Sequence, residues 1–220
     1  MTVAIDGPAG AGKSTVAKQS AERLGYTLVD TGAIYRAVAL LAQRAGVDWT
    51  DDEKLGPLVE LLEISFRFED GVNHVFVNGD DVSTAIRTPE ISMGASTVSA
   101  RPVVRAGLLE LQRRLGGAGG AVLEGRDIGT VVFPDAPVKI FLSATDEERA
   151  HRRHRELKER GDDTPYEEVL ADIRKRDLQD SQRDVAPLKP ADDAIIVDST
   201  SMTIEEVIAT VLDAVKTAGG

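Results

Sequence analysis

One stretch decides the fold of this chain: Thr2-Val3-Ala4-Ile5-Asp6-Gly7-Pro8-Ala9-Gly10-Ala11-Gly12-Lys13-Ser14. Its apolar beginning predicts a buried strand, and the amphipathic pattern from Lys13 to about Leu24 predicts a helix. Between them, residues 7–14 match the pattern G-x-x-x-x-G-K-S/T. Glycines let such a loop wrap around an anion with its N–H groups pointing inward, and the helix that follows begins with partial positive charge. The stretch therefore predicts a phosphate-binding loop (P-loop) between a strand and a helix.

The side chains of this loop indicate a nucleoside triphosphate and a magnesium ion as ligands. Lys13 would reach the β- and γ-phosphates, and the Ser14 hydroxyl would bind Mg²⁺. We expect ATP to be bound by Gly7, Pro8, Ala9, Gly10, Ala11, Gly12, Lys13, Ser14 and Thr15. The guanine-reading pattern Asn-Lys-x-Asp is absent from the sequence, which disfavours a GTPase. Kinases, ATP-driven motors and transporters share the loop, so a second anion site has to decide among them.

Short apolar runs recur along the chain, with helical patterns between them. The runs lie at residues 2–5, 28–29, 121–123, 138–142 and 194–197. This alternation predicts an α/β fold in three layers with a central parallel sheet. A hydroxyl residue stands three positions before a glutamate at Thr145, Thr164 and Thr203, which predicts three helix starts, and Pro165 fits a first turn.

Two segments interrupt this plan. Residues 64–68 alternate strictly, Glu69-Asp70-Gly71 can turn, and residues 75–77 precede Asn78-Gly79, which predicts a small antiparallel insert. Six positive charges lie within the twelve residues from Arg149 to Arg160. They predict a helical lid, at about 149–164, over the ATP phosphates, and a solvated helix face laced with glutamate pairs is the alternative.

The composition limits the function classes. A net charge of −11, from 26 basic and 37 acidic residues, argues against broad binding of nucleic acid or anionic membranes. The absence of cysteine excludes disulfides, thiolate catalysis and zinc–cysteine sites. Arginine makes up 18 of the 26 basic residues, which fits a local phosphate site as well as it fits a coding bias. No apolar run approaches the roughly 20 residues of a membrane span, and no signal-type stretch is present, so we expect a cytoplasmic protein.

Candidates for the second anion site follow two of the predicted strands. One strand leads into Asp30-Thr31-Gly32-Ala33-Ile34-Tyr35-Arg36, the other into Glu124-Gly125-Arg126-Asp127-Ile128-Gly129-Thr130. The carboxyl ends of parallel strands line the ligand crevice of such folds. Thr31, Arg36 and Arg126 could therefore bind phosphate, and Asp127 a base or a ribose. Alone, Arg36 reads as a surface residue, and the Arg126–Asp127 pair could also be an ion pair that fixes a turn.

Three further candidates for the second anion site lie in the second half of the chain. Arg176, Asp180 and Arg183 are spaced i, i+4 and i+7, which would place them on one stripe of a helix. Two arginines around one carboxylate could bind a phosphate and a ribose hydroxyl together. An exposed ladder of salt bridges explains the spacing equally well.

Together these segments resemble the bacterial cytidylate kinase family. The resemblance covers nearly the whole chain through I-D-G-P-A-G-A-G-K-S, D-T-G-A-I-Y-R, the antiparallel insert, E-G-R-D-I-G-T-V-V-F-P and A-P-L. The first motif is common to P-loop proteins, whereas the second and third, at this separation, are specific to the group. Where the family often has serine, this chain has Thr31, whose extra methyl group could alter the tolerance for ribose or deoxyribose.

The resemblance implies ATP-dependent transfer of a phosphoryl group to CMP or dCMP. It implies that the acceptor phosphate is held by Thr31, Arg36, Arg126 and Arg183, that cytosine is read by Ser96, Arg105 and Asp127, and that the ribose or the phosphates are met by Arg176 and Asp180. Lys13, Arg126 and Arg183 would be catalytic. Residues 1–220 would form a single kinase domain, with a monophosphate-binding insert at about 58–97, and we expect a monomer.

Two other function classes stay open on the residues alone. The first is another small P-loop kinase that acts on UMP or on a small alcohol such as shikimate. The second is a nucleotide-dependent switch or regulatory ATPase, in which hydrolysis times a conformational change. The identity of the phosphate acceptor separates these classes.

Overall fold

A computed structural model describes residues 1–69, 72–159 and 161–219. Two predicted features fall partly outside these residues, namely the turn at Asp70-Gly71 and Arg160 of the predicted lid. In chain order the described elements are β1 (Thr2–Asp6), α1 (Lys13–Leu24), β2 (Thr27–Asp30), α2 (Thr31–Arg44), α3 (Asp52–Glu60), β3 (Ile64–Glu69), β4 (Val72–Val77), β5 (Asp80–Asp81), a short 3-10 helix (Ala85–Arg87), α4 (Pro89–Ser99), α5 (Pro102–Gly117), β6 (Ala121–Gly125), a short π-helix (Ile128–Val132), β7 (Val138–Ser143), α6 (Asp146–Glu159), α7 (Tyr166–Gln182), β8 (Ile195–Asp198) and α8 (Ile204–Thr217).

The predicted parallel sheet is confirmed. It has five strands in the order β2-β6-β1-β7-β8, and β1 pairs in parallel with both β6 and β7. Val3, Ala4 and Ile5 are completely buried, as expected for a strand with neighbours on both sides. The register places Asp6 opposite Gly125 of β6 and Phe141 of β7. The loops that follow β1 and β6 therefore start at the same edge of the sheet.

Two of the three predicted helix starts are confirmed. Thr203 and Glu206 form a reciprocal capping box at the start of α8. Thr145 accepts a hydrogen bond from the Glu148 amide at 3.3 Å. The third prediction was wrong in its details, because the Thr164 hydroxyl donates to Asp162 at 2.6 Å and Pro165 takes the N-cap position of α7 instead of its first turn.

The small antiparallel sheet is also confirmed. Its strand order is β3-β4-β5, and β3 pairs with β4 from Ile64 opposite Val77 to Glu69 opposite Val72. Between β4 and β5, Asn78 and Gly79 have φ angles of 51° and 89°. A two-residue hairpin turn of this kind needs positive φ at both positions, which asparagine and glycine tolerate best.

The chain divides into two compact units. The first comprises Met1–Thr27 and Gly119–Gly220, and the second comprises Leu28–Ala118. In the first unit, α1 packs against β6 and α8. In the second, α2 packs against α4, and α3 packs against α5. The predicted insert at about 58–97 falls within the second unit, and its role stays a prediction, as does the single kinase domain over 1–220. Within the described ranges no helix has the length and apolar character that crossing a membrane requires.

Gly94 provides a test of the packing in the second unit. A Cβ atom added there would lie 2.5 Å from the Trp49 ring, which is fixed by a 3.0 Å hydrogen bond from its indole N–H to the Ala39 carbonyl. Overpacking outweighs the better helix propensity of alanine, so we expect Gly94→Ala to lower the free energy of unfolding by about 1–2 kcal/mol. Unfolding in urea measures this change in the free energy of unfolding. Exposed Met93 on the same helix supplies the control, Met93→Ala, and equal stability of the two variants would contradict the packing.

Candidate active site

The backbone of the P-loop requires glycine at two positions. A Cβ atom on Gly7 would lie 2.0 Å from the Leu142 carbonyl oxygen of β7, so no side chain fits there. Gly12 caps α1 in the left-handed region, with φ of 91°. The loop thus lies tightly against the sheet edge and enters α1 through a conformation that other residues rarely adopt.

Lys13 is buried beneath this loop. Its side chain amine donates to the Pro8 carbonyl oxygen at 2.7 Å, and only 6% of the residue is exposed. Burial, and then the positive charge of Arg126, lower the pKa of Lys13 to about 7, while Glu124 and other carboxylates oppose this shift. A cation that is poorly stabilised by its surroundings gains strongly from a nearby anion, so this position suits a phosphate group.

Ser14 and Glu124 form a contact that the sequence analysis missed. The Ser14 hydroxyl donates to a carboxylate oxygen of Glu124 at 2.8 Å, and Glu124 is buried at the carboxyl end of β6. Hydroxyl and carboxylate oxygens are the hard ligands that Mg²⁺ prefers, and this ion takes few protein ligands when phosphates are present. The donor set therefore fits magnesium. A buried acidic residue at the end of a strand beside β1 was the signal that could have found it.

Asp6 is a second buried acid that the sequence analysis did not single out. Its two carboxylate oxygens accept hydrogen bonds from the amides of Ile128 and Gly129, each at 2.8 Å. Burial raises the pKa of Asp6 to about 6, although both amides lower it. Asp6 thus connects β1, directly before the P-loop, with the segment that follows β6.

The candidates of the first unit come together around Asp180. Arg126 donates through Nε to Asp180 at 2.9 Å. Arg183 lies 3.9 Å from Asp180 and 3.7 Å from Asp127, and it donates through Nε to the Ala186 carbonyl at 2.5 Å. Asp180 also raises the pKa of Lys13 through its charge. The network therefore places two arginines and a lysine about shared carboxylates.

One part of the predicted helical stripe is wrong. Arg176 and Asp180 lie on α7, but the helix ends at Gln182, and Arg183 has extended backbone angles of −67° and 142°. Arg183 reaches Asp127 and Asp180 from this extended position rather than along a helix face.

The base of α6 is tied to the P-loop by two arginines. Arg149, 3% exposed, donates to the Ala9 carbonyl at 2.9 Å and contacts Asp177 of α7 at 2.5 Å, and it also pairs with Asp146. Arg152 donates to the Ser199 carbonyl at 2.7 Å and more weakly to the Ala11 carbonyl at 3.4 Å. These two arginines of the charged segment therefore hold the backbone of the P-loop.

The second unit holds the other predicted acceptor residues. Thr31 is buried at the first turn of α2, which Asp30 caps by accepting from the Ala33 amide at 2.8 Å. Arg36 donates to Asp30 at 2.8 Å. Arg105 is buried on α5, where it donates to the Ser99 carbonyl at 3.2 Å and lies 5.7 Å from the centre of the Tyr35 ring. Ser96 lies half-buried on α4, three residues before Ser99.

The last two predicted residues lie on α1 and α7. Thr15 is exposed in the first turn of α1, and Arg176 lies four residues before Asp180 on α7. Their proposed contacts with ATP and with the acceptor stay predictions.

Known proteins of similar sequence show the family to which this chain is related. A sequence model of the family described as cytidylate kinase matches residues 3–217. The cytidylate kinase of Citrifermentans bemidjiense is 56% identical over 214 residues, which cover 97% of this chain and 92% of that protein. The cytidylate kinase of Pseudomonas aeruginosa is 52% identical, over 96% of this chain and 93% of that protein.

Solved structures agree on the fold. An uncharacterized protein from Eubacterium ventriosum has a TM-score of 0.53 at 11% identity, with 99% of both chains covered. A gluconokinase from Sinorhizobium meliloti has a TM-score of 0.50 at 16% identity, covering 99% of this chain and 93% of that chain. These likenesses concern the fold alone, whereas the match over residues 3–217 and the relatives that are more than half identical identify the family: the chain belongs to the cytidylate kinases.

Proposed function

We propose that this chain transfers the γ-phosphoryl group of ATP to CMP or dCMP, giving ADP and CDP or dCDP. The observation that carries the proposal is the buried Lys13 beside a network of Arg126, Arg183 and Asp180, next to a P-loop. A loop for one phosphate chain and a cluster of arginines for another anion are what a nucleotide kinase needs. The match with the cytidylate kinase family supports a cytidine nucleotide as the acceptor.

For ATP, we propose contacts with the backbone of residues 7–15 and with the Lys13 amine. The Ser14 hydroxyl, held by Glu124 at 2.8 Å, would bind Mg²⁺ together with the nucleotide phosphates. When bound, the ion would neutralise part of the charge on the phosphate chain. The tie between Arg149 and the Ala9 carbonyl would keep the loop in its wrapped form.

For the acceptor, we propose three groups of contacts. The phosphate would be bound by Thr31, Arg36, Arg126 and Arg183. Cytosine would be read by Ser96, Arg105 and Asp127, and the ribose or the phosphates would be met by Arg176 and Asp180. Thr31 directly follows β2 and Asp127 follows β6, at the strand ends where ligands bind in such sheets, which supports this assignment.

The proposed reaction is a phosphoryl transfer between two negatively charged groups. An oxygen of the acceptor phosphate attacks the γ-phosphorus, a new P–O bond forms, and the bond to the β-phosphate oxygen breaks with its electron pair leaving on ADP. The second pKa of a phosphate monoester is near 6, so the nucleophile is largely ionised at neutral pH and needs no general base. The obstacle is repulsion between two anions, which Lys13, Arg126 and Arg183 would reduce in the ground state and still more in the transition state.

We also propose that the enzyme acts as a monomer in the cytoplasm, with nucleotides rather than nucleic acids or membranes as its partners. The net charge of −11 supports the choice of partners, since it disfavours binding to nucleic acids and anionic membranes.

One acceptor panel tests the proposed function. ADP formation from ATP is measured with CMP, dCMP, UMP, AMP, GMP and shikimate offered singly, and without any acceptor. We expect CMP and dCMP to give the dominant rates. A dominant rate with shikimate or another nucleotide would assign a different small kinase, and hydrolysis that is independent of every acceptor would assign a switch ATPase.

A further inference from the structure

We infer that Asp6 is a positioning residue: its carboxylate holds the turn of residues 126–129, called here the Arg126 turn, in the orientation that phosphoryl transfer needs. The inference rests on the proposed function, because the roles of Arg126 and Asp127 belong to that function. Its experiments below separate a failure of the inference from a failure of the function.

The first step is the geometry of the carboxylate. Asp6 ends β1 and is buried between Gly125 of β6 and Phe141 of β7 in the sheet register. One of its oxygens accepts from the Ile128 amide at 2.8 Å and the other from the Gly129 amide at 2.8 Å. Only a carboxylate offers two acceptor oxygens to two consecutive amides, since asparagine would place a donor against one of them.

Gly129, at the end of the Arg126 turn, packs closely against two side chains. A Cβ atom on Gly129 would lie 3.2 Å from the aliphatic stem of Lys139 and 3.5 Å from a carboxylate oxygen of Asp6. The Lys139 amine is itself held by Asp193 at 2.7 Å and by the Pro134 carbonyl. Gly129 therefore packs closely against the Lys139 stem and the Asp6 carboxylate, and a side chain there would crowd both.

Arg126 and Asp127 lie between the end of β6 and the residue that Asp6 holds. Gly125 ends β6, and a π-helix runs from Ile128 to Val132, with the Asp127 carbonyl accepting from the Val131 amide at 2.9 Å. Asp6 accepts the first amide of this helix, so it fixes the helix start directly after Arg126 and Asp127. The side chains of Arg126 and Asp127 meet Asp180 at 2.9 Å and Arg183 at 3.7 Å, respectively. Loss of the anchor at the helix start would redirect both side chains without any change in their own chemistry.

The fourth step is the charge around Asp6. Asp127 and Lys13 are the charged groups that act on it, besides the two amides, and burial is the largest influence, so the pKa of Asp6 is raised to about 6. Because the shift is upward, Asp6 is ionised and accepts both amides above pH 6, and it gains a proton as the pH falls through 6. An ordinary carboxyl group would stay ionised down to about pH 4.

A direct test of the hydrogen bonds uses NMR of the full chain without ligands. The backbone amide signals of Ile128 and Gly129 are followed from pH 8 to pH 5. We expect both to shift together with one midpoint near 6, and we expect neither shift in Asp6→Asn. Ile128 and Gly129 signals that do not follow the protonation of the Asp6 carboxyl group, read from its side-chain carbon, would overturn the inference, and this readout does not depend on any enzymatic activity.

The test of function compares the kinetics of Asp6→Asn with those of the wild type. With CMP as acceptor we expect kcat to fall about tenfold to a hundredfold, the loss that one misplaced transition-state donor produces, with KM for ATP changed less than about threefold. Because the charge of Asp6 also raises the pKa of Lys13, a loss of kcat supports the positioning role only together with displaced Ile128 and Gly129 amide signals in the variant.

The outcomes are distinguishable. Asp213→Asn, on an exposed position of α8, is the matched control and should leave kcat and its pH profile unchanged. A kcat of Asp6→Asn equal to that of the wild type would overturn the positioning role. If Asp6→Asn does not fold, the wild-type NMR titration decides. A wild-type chain that is inactive with every acceptor, yet shows the titration, would instead remove the proposed function.

Discussion

Replacing Lys13 by methionine is expected to lower kcat/KM for ATP about a thousandfold, the upper range for loss of one donor in a preorganised site. Lys13 is buried and held against the Pro8 carbonyl, so its charge acts where little water screens it. Methionine keeps much of the length and the apolar contact of the side chain but removes the positive charge. The loss therefore falls on the interaction with the phosphates and not on packing.

Steady-state kinetics with varied ATP at saturating CMP measure this effect. Lys216→Met, in the exposed last turn of α8, is the matched control and should behave as the wild type. A Lys13→Met variant that keeps more than a tenth of the wild-type kcat/KM would contradict the role of Lys13 at the phosphates.

Replacing Arg126 by alanine is expected to lower kcat with CMP at least a hundredfold. Its Nε is already fixed to Asp180 at 2.9 Å, so the remaining guanidinium N–H groups are oriented before any substrate binds. The variant would also leave the buried carboxylate of Asp180 without this partner. Since the charge of Arg126 lowers the pKa of Lys13, that pKa should rise in the variant, so the loss of turnover cannot come from a neutral Lys13.

Two further variants test whether the loss of turnover is specific to the guanidinium group of Arg126. Arg23→Ala removes an exposed arginine that pairs with Glu205 at 2.7 Å on the surface, and it should leave kcat unchanged. Arg126→Lys should recover only part of the activity, because a lysine cannot bind Asp180 and a phosphate with one planar fork. Near-normal turnover of Arg126→Ala would remove Arg126 from the active site.

The features that the sequence predicted are those set by neighbouring residues. The strand, glycine loop and helix over residues 2–24 depend on apolar runs, glycine conformations and helical periodicity, all of which are local. The same holds for the hairpin at Asn78-Gly79 and for the capping box of Thr203 and Glu206. Each of these was predicted at or near its actual position.

The contacts that the sequence did not reveal are long-range. Asp6 binds amides that lie 122 and 123 residues away, and Ser14 binds a carboxylate 110 residues away. No periodicity or spacing encodes such partners, because they arise from the order of the strands in the sheet. Buried acids at the ends of neighbouring strands are the pattern that would have drawn attention to them.

The charged segment from Arg149 to Arg160 shows that composition does not disclose the partners of an arginine. Its six positive charges predicted a lid over the ATP phosphates or a solvated helix face, and the lid stays a prediction. Arg149 does not lie on a solvated face: it is almost completely buried, because its long side chain reaches the Ala9 carbonyl and two carboxylates. Burial of arginine depends on partners from other elements, which the segment itself does not disclose.

The central claim is that the γ-phosphoryl group of ATP passes directly to a cytidine monophosphate. The most direct measurement follows ATP labelled in its γ-phosphate, with CMP present, and separates the products by chromatography. The account predicts that the label appears in CDP, in an amount equal to the ADP formed, and that Arg126→Ala slows its appearance at least a hundredfold. Label that appears as inorganic phosphate at the same rate with and without CMP would contradict it.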